Sequence, residues 1–505
     1  MTQRPRYIAA LDQGTTNTKA LLLDEKGQVV YRASRPVQIS FPRPAWVEQD
    51  ATEIWDTART VLEECFSACG NGDIAAIGIA NQRESVVAWR RETGVPEAKC
   101  ISWQCRRGAE VCDNLRAKNV DAAIFAKTGL RIDPLFSASK LAWLLANDSE
   151  LRRRAEHGSV CAGTVDTWLI WNLTGGHAHV TDLSNASRTQ LFHLRELQWD
   201  TELLSEFGIP LALLPRVQPS SAFLGETAAT GTIPAGIPIL SAMGDSHAAL
   251  FGHAAFHPGM LKATYGTGSS LMTPVSAPAL HDDRVATTVA WGLQDQPPQY
   301  ALEGNISATG AAVQWAGEFL RLPNPVSDLS RLALETPDSG GVFFVPALVG
   351  LGAPHWDENA RASISGLSRS STVPDLARAA LESIAFQVRD VLEAIESVSN
   401  SRVPVLLADG GATGNAQLMR IQADIIGRPV VASASADLSA QGAGWMAGLG
   451  CGFWRTLDEL AAIPRPVERY EPQMPESARE ELYAQWKEAV SQVLAGSKGA
   501  RGACR

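Results

Sequence analysis

The sequence predicts an α/β protein made of two related domains that face one ligand across a cleft. The first observation is the length, because 505 residues are too many for one ordinary hydrophobic core. The second is a repeated pattern, in which a Gly/Thr turn separates two apolar runs at 12–17 and again at 266–268. Such repetition indicates duplicated domains with a shared ligand. We place the boundary within 253–258, which gives domains of 1–253 and 254–505.

The first domain is predicted to begin with a meander of three strands. The apolar runs 8–11 and 19–23 flank the first turn, and 29–31 continues the sheet after a second turn. The continuous apolar run 74–80 predicts a further strand that is buried on both faces.

A helix is predicted between the meander and that strand. Asp50 and Glu53 have the spacing of a helix N-cap and its capping-box partner. Apolar residues then recur with a helical period up to about Cys69.

The second half repeats the pattern more weakly, and its predicted elements are strands 261–265, 269–272, 405–408 and 429–432, with a helix over about 415–426. The last residues, 495–505, are rich in small and basic residues and are expected to be frayed.

Composition excludes several kinds of partner. The net charge of -10 disfavours nucleic acid or an anionic membrane as the main partner. No run of about 20 apolar residues predicts a membrane span, and no secretory signal is evident. The eight cysteines form no CxxC pair and read as free thiols of a reducing compartment, which predicts the cytoplasm.

The turn Asp12-Gln13-Gly14-Thr15-Thr16 is a candidate phosphate and metal site. A glycine lets backbone N–H groups approach phosphate oxygens, and threonine hydroxyls add donors. Lys19 would add a positive charge, and a carboxylate at the end of a buried strand is well placed to hold Mg²⁺. The alternative is a plain hairpin.

Asp245 follows the apolar run 237–243 at a predicted Gly-Asp turn, where its carboxylate could act as general base toward a hydroxyl. The glycine-rich loop 410–414 lies between a predicted strand and a predicted helix, so that helix N-terminus could receive an anion or a nucleoside. Gly-Asp turns and glycine-rich loops are also common without any function.

Arg83 and Glu84 end a predicted strand and could bind the hydroxyls of a polyol, while Trp103 offers an aromatic face for its CH groups. The alternatives are a surface ion pair and an ordinary core tryptophan. These segments belong to a longer collinear set: 10–16, 81–84, 103–107, 136–143, 163–171, 181–189, 244–245, 264–268 and 409–411.

Taken in this order, the motifs resemble the FGGY family of carbohydrate kinases over about residues 7–454, and within it most closely the glycerol kinases. The resemblance implies two actin-like (ribonuclease H-like) domains with a hinged interdomain cleft, and ATP with Mg²⁺ as phosphoryl donor. It implies a polyol or sugar substrate, and a homo-oligomer is common in the family.

Roles carried over from the family follow the matching positions. Asp245 would be the catalytic base and Asp12 would hold Mg²⁺, while Arg83, Glu84 and Trp103 would bind the polyol. The nucleotide would be bound by Thr15, Thr16, Lys19 (where glycerol kinases usually have Arg), Gly266, Thr267, Gly310, Gln314, Gly411 and Asn415.

The chain departs from glycerol kinases at positions that line the family's glycerol pocket. At these pocket positions glycerol kinases have Tyr, Gln and Phe where this chain has Leu135, Ser246 and Ser270. Elsewhere they have Asp where it has Cys105. Loss of a ring opens space, which favours a tetritol, pentitol, tetrulose or pentulose as an alternative to glycerol. Another class remains open as well, a non-catalytic actin-like protein that binds ATP.

Overall fold

The computed structural model describes residues 4–503, with side chains up to residue 497. The chain divides into two compact units, and each collects separate segments. The first unit comprises the chain up to Phe256 with Val275–Ala301 and Asp437–Ile463, and the second comprises His257–Pro274, Leu302–Ala436 and the chain from Pro464. The domains predicted at 1–253 and 254–505 are continuous, and therefore differ from these units. The cleft between the domains stays a prediction.

The main sheet of the first unit has six strands, in the order Ser221–Glu226, Pro238–Gly244, Asp73–Asn81, Arg6–Gln13, Asn17–Leu23 and Val29–Pro36. The strand Arg6–Gln13 is antiparallel to Asn17–Leu23, with Asp12 opposite Lys19. It is parallel to Asp73–Asn81 on its other side. Pro238–Gly244 is also parallel to Asp73–Asn81. The ends of three parallel strands therefore meet at one edge of the sheet, the usual place for ligands in α/β folds.

Helices and smaller sheets surround this sheet. The helices are Ala51–Ala68, Ala109–Ala117, Asp121–Thr128, Ser137–Asn147, Ser149–Glu156, Val165–Leu173, Leu183–Ala186, Thr201–Phe207, Asp245–Gly252, Leu438–Gly450 and Leu457–Ala461. A four-stranded sheet has the order Glu48–Gln49, Cys100–Ile101, Val86–Arg90 and Val160–Thr164. The remaining strands are Val180–Asp182 with Arg216–Gln218, Phe192–His193 with Gln198–Trp199, and Ala286–Trp291.

The helix Leu438–Gly450 explains why a late segment belongs to the first unit. It packs on the strands Arg6–Gln13 and Asp73–Asn81 of the main sheet. Close approach requires glycine, because a Cβ at Gly78 would lie 2.3 Å from the carbonyl oxygen of Ala443. Apolar burial and this tight contact hold the segment on the sheet.

The predicted N-cap of the helix Ala51–Ala68 is confirmed, since the Asp50 side chain accepts from the amides of Thr52 and Glu53. The predicted capping box is wrong. The Glu53 carboxylate accepts from the amide of Gln38 instead, at 3.1 Å, and so ties the helix to the preceding segment.

The second unit repeats the motif of the first. Its sheet includes, in order, Gln299–Ile306, Ser269–Val275, Met260–Tyr265, Val405–Asp409, Val430–Ser433 and Val467–Tyr470. Met260–Tyr265 is antiparallel to Ser269–Val275 and parallel to Val405–Asp409. The helices are Gly310–Phe319, Pro325–Leu332, Val373–Ser399, Ala416–Ile426 and Glu476–Ala503, and Phe343–Val345 pairs with Ser363–Ser365. The four strands predicted in this half are confirmed.

The predicted fraying of 495–505 lies partly outside the described residues, and its described part continues the helix to Ala503. The seven cysteines in the described part of the chain are free thiols. Within residues 4–503, no helix combines the length and the apolar character that crossing a bilayer requires.

Candidate active site

Two carboxylates converge at the edge where the parallel strands of the first unit end. Asp12 lies near the end of Arg6–Gln13, and Asp245 directly follows Pro238–Gly244. Burial raises the pKa of Asp12 to about 7, and the negative charge of Asp245 adds to this, against the lowering effect of Lys19. The two acids are thus close enough to interact, in surroundings that disfavour an uncompensated charge.

The predicted turn at Asp245 is wrong, because Asp245 is the first residue of the helix Asp245–Gly252. The positive end of the helix dipole favours its negative charge. Its Oδ1 accepts from the amide of Ser246 at 2.6 Å and lies 3.3 Å from Arg83 Nε. Its side chain is 38% exposed, so the carboxylate is oriented but accessible to a ligand.

Gly244 makes room for this ion pair. A Cβ at Gly244 would lie 2.6 Å from the Cδ atom of Arg83 and 2.9 Å from Nδ1 of His247. Any larger residue would therefore displace the arginine from Asp245.

The turn Gly14-Thr15-Thr16 is closed by a bond from the Gly14 amide to the Asn17 carbonyl oxygen at 2.9 Å. Two buried glutamines donate hydrogen bonds to carbonyl oxygens of the turn. The sequence did not predict this contribution of the glutamines. Gln13 Nε2 donates to the Gly14 carbonyl at 2.7 Å, and Gln49 Nε2 donates to the Thr15 carbonyl at 2.8 Å. The turn is fixed, while Thr16 stays exposed.

Lys19 has an acidic partner that the sequence did not reveal. Its Nζ donates to Oδ1 of Asp437 at 3.3 Å, and Arg32 Nε donates to the other oxygen at 2.7 Å. Asp437 arrives with the segment Asp437–Ile463, more than 400 residues away in the chain, so no local pattern indicates the pairing.

The residues predicted to bind a polyol lie at the same edge. Trp103 Nε1 donates to Thr15 Oγ1 at 3.0 Å, which joins the predicted polyol and phosphate residues directly. Arg83 and Glu84 are buried, and Glu84 pairs with Arg188 at 2.7 Å, so the alternative of a surface ion pair between them is wrong. Glu84 also has a left-handed backbone, with φ of 59°. Such a conformation at a residue other than glycine often marks a functional site.

The positions at which the chain departs from glycerol kinases lie in the first unit, apart from Ser270. Leu135 and Ser246 belong to the first unit, with Asp245, and the Leu135 amide donates to Asp133 Oδ1 at 2.7 Å. Ser270 belongs to the second unit, where its Oγ donates to Oε1 of the buried Glu303 at 2.8 Å. Cys105 is buried and accepts from Arg107 Nε at 3.0 Å.

In the second unit, the predicted nucleotide residues gather around the repeated turn. The Gly310 amide donates to the Gly266 carbonyl at 3.0 Å, and the Ala311 amide donates to the Thr267 carbonyl at the same distance. Gly410, with φ of 96°, lies so close that a Cβ there would be 2.3 Å from the Tyr265 carbonyl. Gly411 follows in an exposed turn beside this contact.

Two further predicted nucleotide residues lie on helices. Asn415 is the N-cap of Ala416–Ile426, since its side chain accepts from the amide of Leu418 at 3.1 Å. Gln314 lies on Gly310–Phe319 and donates to Glu318.

The fold combines a duplicated strand–turn–strand motif with two neighbouring carboxylates, Asp12 and Asp245, at the edge of an α/β sheet. The chain belongs to the FGGY family of carbohydrate kinases, because residues 7–252 match the N-terminal domain of that family and residues 261–451 match its C-terminal domain. The predicted family and its two α/β domains of the actin-like type are thereby confirmed.

Individual relatives and a solved structure support membership of the same family. Glycerol kinase 2 of Thermotoga maritima is 48% identical over 98% of this chain and 100% of its own length. Apulose kinase of Pectobacterium atrosepticum is 46% identical over 96% of this chain and 98% of its own length. Among solved structures, Plasmodium falciparum glycerol kinase with ADP has a TM-score of 0.90 at 32% identity, covering 97% of this chain and 99% of that one.

Proposed function

We propose that this protein transfers the γ-phosphoryl group of ATP to a terminal hydroxyl of a small polyol or sugar, with Asp245 as the general base. The observation that carries the proposal is the placement of an accessible, oriented carboxylate beside Arg83 and near the turn that starts at Asp12. The acceptor oxygen attacks the γ-phosphorus, its proton passes to Asp245, and ADP leaves.

Asp12 is the proposed Mg²⁺ ligand, and the residues present fit that ion. Mg²⁺ usually takes one or two carboxylates and completes its shell with phosphates and water. Within the described residues no cluster of three or more acids, histidines or cysteines forms a full protein cage. Burial of Asp12 and the neighbouring charge of Asp245 disfavour the ionised form of Asp12, and a cation would offset that cost. When bound, Mg²⁺ neutralises charge on the β- and γ-phosphates.

The proposed nucleotide contacts divide between the two turns. Thr15, Thr16 and Lys19 bind phosphates on the first turn, where backbone and hydroxyl donors are fixed by the buried glutamines. The remaining contacts are made by the second unit through Gly266, Thr267, Gly310, Gln314, Gly411 and Asn415. The structural similarity to a glycerol kinase with ADP supports ATP as the donor.

The acceptor is proposed to lie against Arg83, Glu84 and Trp103. Glycerol is one candidate, because glycerol kinases are among the relatives that match over nearly the full length. A ketose such as a pentulose is the second, because a relative of almost equal identity is an apulose kinase. The small side chains of Ser246 and Ser270 favour the larger acceptor.

The test is release of ADP from Mg²⁺–ATP across glycerol, tetritols, pentitols, tetruloses and pentuloses. Release that depends on one acceptor class supports the proposal, and the best acceptor decides between the two candidates. ATP binding without ADP release on any acceptor would favour the non-catalytic, actin-like alternative. ADP release that no acceptor stimulates would indicate ATP hydrolysis without an acceptor and contradict the proposal.

The cytoplasm is the proposed compartment. Free thiols such as the seven described here persist in a reducing environment. Cell fractionation with the native chain would test this.

A further inference from the structure

Lys140 is a fully buried lysine near the start of the helix Ser137–Asn147. Its Nζ donates to the carbonyl oxygens of three consecutive residues, Pro134 at 2.8 Å, Leu135, and Phe136 at 3.2 Å. An ammonium group has three N–H donors, so this set of carbonyls satisfies it completely. Buried lysines usually pair with a carboxylate, and here the charge instead holds a segment of backbone.

The same segment is closed by a bond within itself at one end and is bonded to Glu84, a proposed acceptor residue, at the other. Asp133 Oδ1 accepts from the Leu135 amide, and Ser137 Oγ donates to the carbonyl oxygen of Glu84 at 3.1 Å. Glu84 and Leu135 are both proposed acceptor positions. The loop 133–137 is therefore fixed from inside by Lys140 and docked on the backbone of Glu84.

We propose that Lys140 is a positioning residue for the acceptor site, because its ammonium group fixes the loop that carries Leu135 and docks on the backbone of Glu84. This inference rests on the proposed kinase function. It assigns no contact between Lys140 and substrate, so its effect is on acceptor affinity and orientation. Nucleotide binding, which uses other residues, is unaffected.

The buried surroundings of Lys140 also predict a pH dependence. Burial lowers the pKa of Lys140 to about 8, against the opposing effects of Glu84, Asp133 and the thiols of Cys105 and Cys112. Glu84 is paired with Arg188, and Cys105 accepts from Arg107. Above that pH the neutral amine has only two N–H donors for three carbonyls, so the loop loses one of its bonds.

The experiment compares wild type, Lys140→Met and a matched control, Lys127→Met. Lys127 belongs to the same unit, and its ammonium donates to Asp200 and Glu202 and not to the carbonyls of the loop. We expect Lys140→Met to raise the acceptor KM by about 10-fold or more, since up to three hydrogen bonds are lost, with the ATP KM unchanged. Lys127→Met should leave both KM values near wild type.

The pH profile and a milder variant keep the test decisive. Between pH 7 and 9 the acceptor KM of wild type should rise about 2–10-fold, as expected for one lost bond, and that of Lys140→Met should stay flat. If Lys140→Met does not fold, Ser137→Ala removes only the bond to Glu84 and should raise the acceptor KM by a similar 2–10-fold.

If wild type is active and the acceptor KM is unchanged in these variants, the positioning role is overturned while the proposed function stands. Equal rises in the acceptor KM and the ATP KM would overturn the positioning role in the same way. A wild type that phosphorylates no acceptor would overturn the proposed function, and this inference with it.

Discussion

The first turn, Gly14-Thr15-Thr16, and the second, Gly266-Thr267-Gly268, occupy the same place in two copies of one motif and differ in charge. Asp12 ends the strand before the first turn and faces Lys19 across the hairpin. The position corresponding to Asp12 in the second copy is Thr264, which faces Ser270. The Gly-Thr pair is common to both turns, so the shared part is the one that presents backbone and hydroxyl donors.

The two turns also differ in what supports them. The first is held by side chains, Gln13 and Gln49, whose amides bond the turn carbonyls. The second is held mainly by close backbone contact, since a Cβ at Gly268 would lie 2.4 Å from the Ile306 carbonyl and one at Gly310 would lie 2.7 Å from the Gly266 carbonyl. One side chain also contributes, because Thr309 Oγ1 donates to the Gly266 carbonyl at 3.0 Å. We infer a division of function, in which the charged first turn holds the cation and binds phosphates, and the neutral second turn contributes to the remaining nucleotide contacts.

The largest expected effect comes from replacing the proposed general base of the first unit. Asp245→Asn should lower kcat by roughly 10²–10⁴-fold, because the amide cannot accept the acceptor's proton, while ATP affinity changes little. Steady-state kinetics with the best acceptor and ATP binding by calorimetry would measure this. Turnover near the wild-type rate would remove Asp245 from the role of base.

Asp12→Asn is expected to separate catalysis from stability. The Mg²⁺ concentration for half-maximal activity should rise by about 10-fold or more, because a ligand is lost. In Mg²⁺-free buffer at pH 8 the variant should be more stable by about 1–3 kcal/mol, since the raised pKa of Asp12 means that its ionised form is disfavoured in the fold. Thermal unfolding with chelator would check this, and a less stable variant would contradict the electrostatic account.

Substitution of one glycine near each turn tests whether the two turns are stabilised differently. Gly410→Ala should destabilise the protein by about 2 kcal/mol or more, because the residue has a left-handed backbone and its Cβ would strike the Tyr265 carbonyl. Gly14→Ala should cost less than about 1 kcal/mol, since its Cβ would lie 3.2 Å from the Asn17 carbonyl. Equal losses in thermal denaturation would mean that the two turns are supported alike.

The smallest expected effect concerns the link between Trp103 and the first turn. Trp103→Phe keeps an aromatic face but removes the bond to Thr15 Oγ1, so kcat/KM for the acceptor should fall about 2–10-fold. Trp199→Phe, which removes a bond to the Pro215 carbonyl, is the control. An effect of the same size in both variants would show that the Trp103 bond has no special role.

The sequence was sufficient for the parts of the fold that local patterns encode. Both strand–turn–strand motifs, the buried strand Asp73–Asn81 and the cap at Asp50 follow from periodicity and turn chemistry. The family motifs also placed Asp245, Arg83 and Trp103 in the first unit together.

Other parts depend on contacts between distant segments. The pairing of Lys19 with Asp437 needs the return of Asp437–Ile463 to the first unit, and no local pattern indicates that return. The sequence Gly244-Asp245 indicates a turn because glycine breaks strands. In the structure the apolar residues that follow form a short helix, which is buried against the helix Leu438–Gly450. The role of Lys140 depends on burial, which composition alone does not give.

The division of function between the two turns is tested most directly by the affinity for ADP in the absence of Mg²⁺. Calorimetry would measure this affinity for Asp12→Asn and Thr267→Val under the same conditions. The account predicts that Thr267→Val weakens ADP binding by about 10-fold, as expected for a lost bond to a charged group, and that Asp12→Asn leaves it near wild type. The reverse result, with ADP binding lost in Asp12→Asn and kept in Thr267→Val, would contradict it.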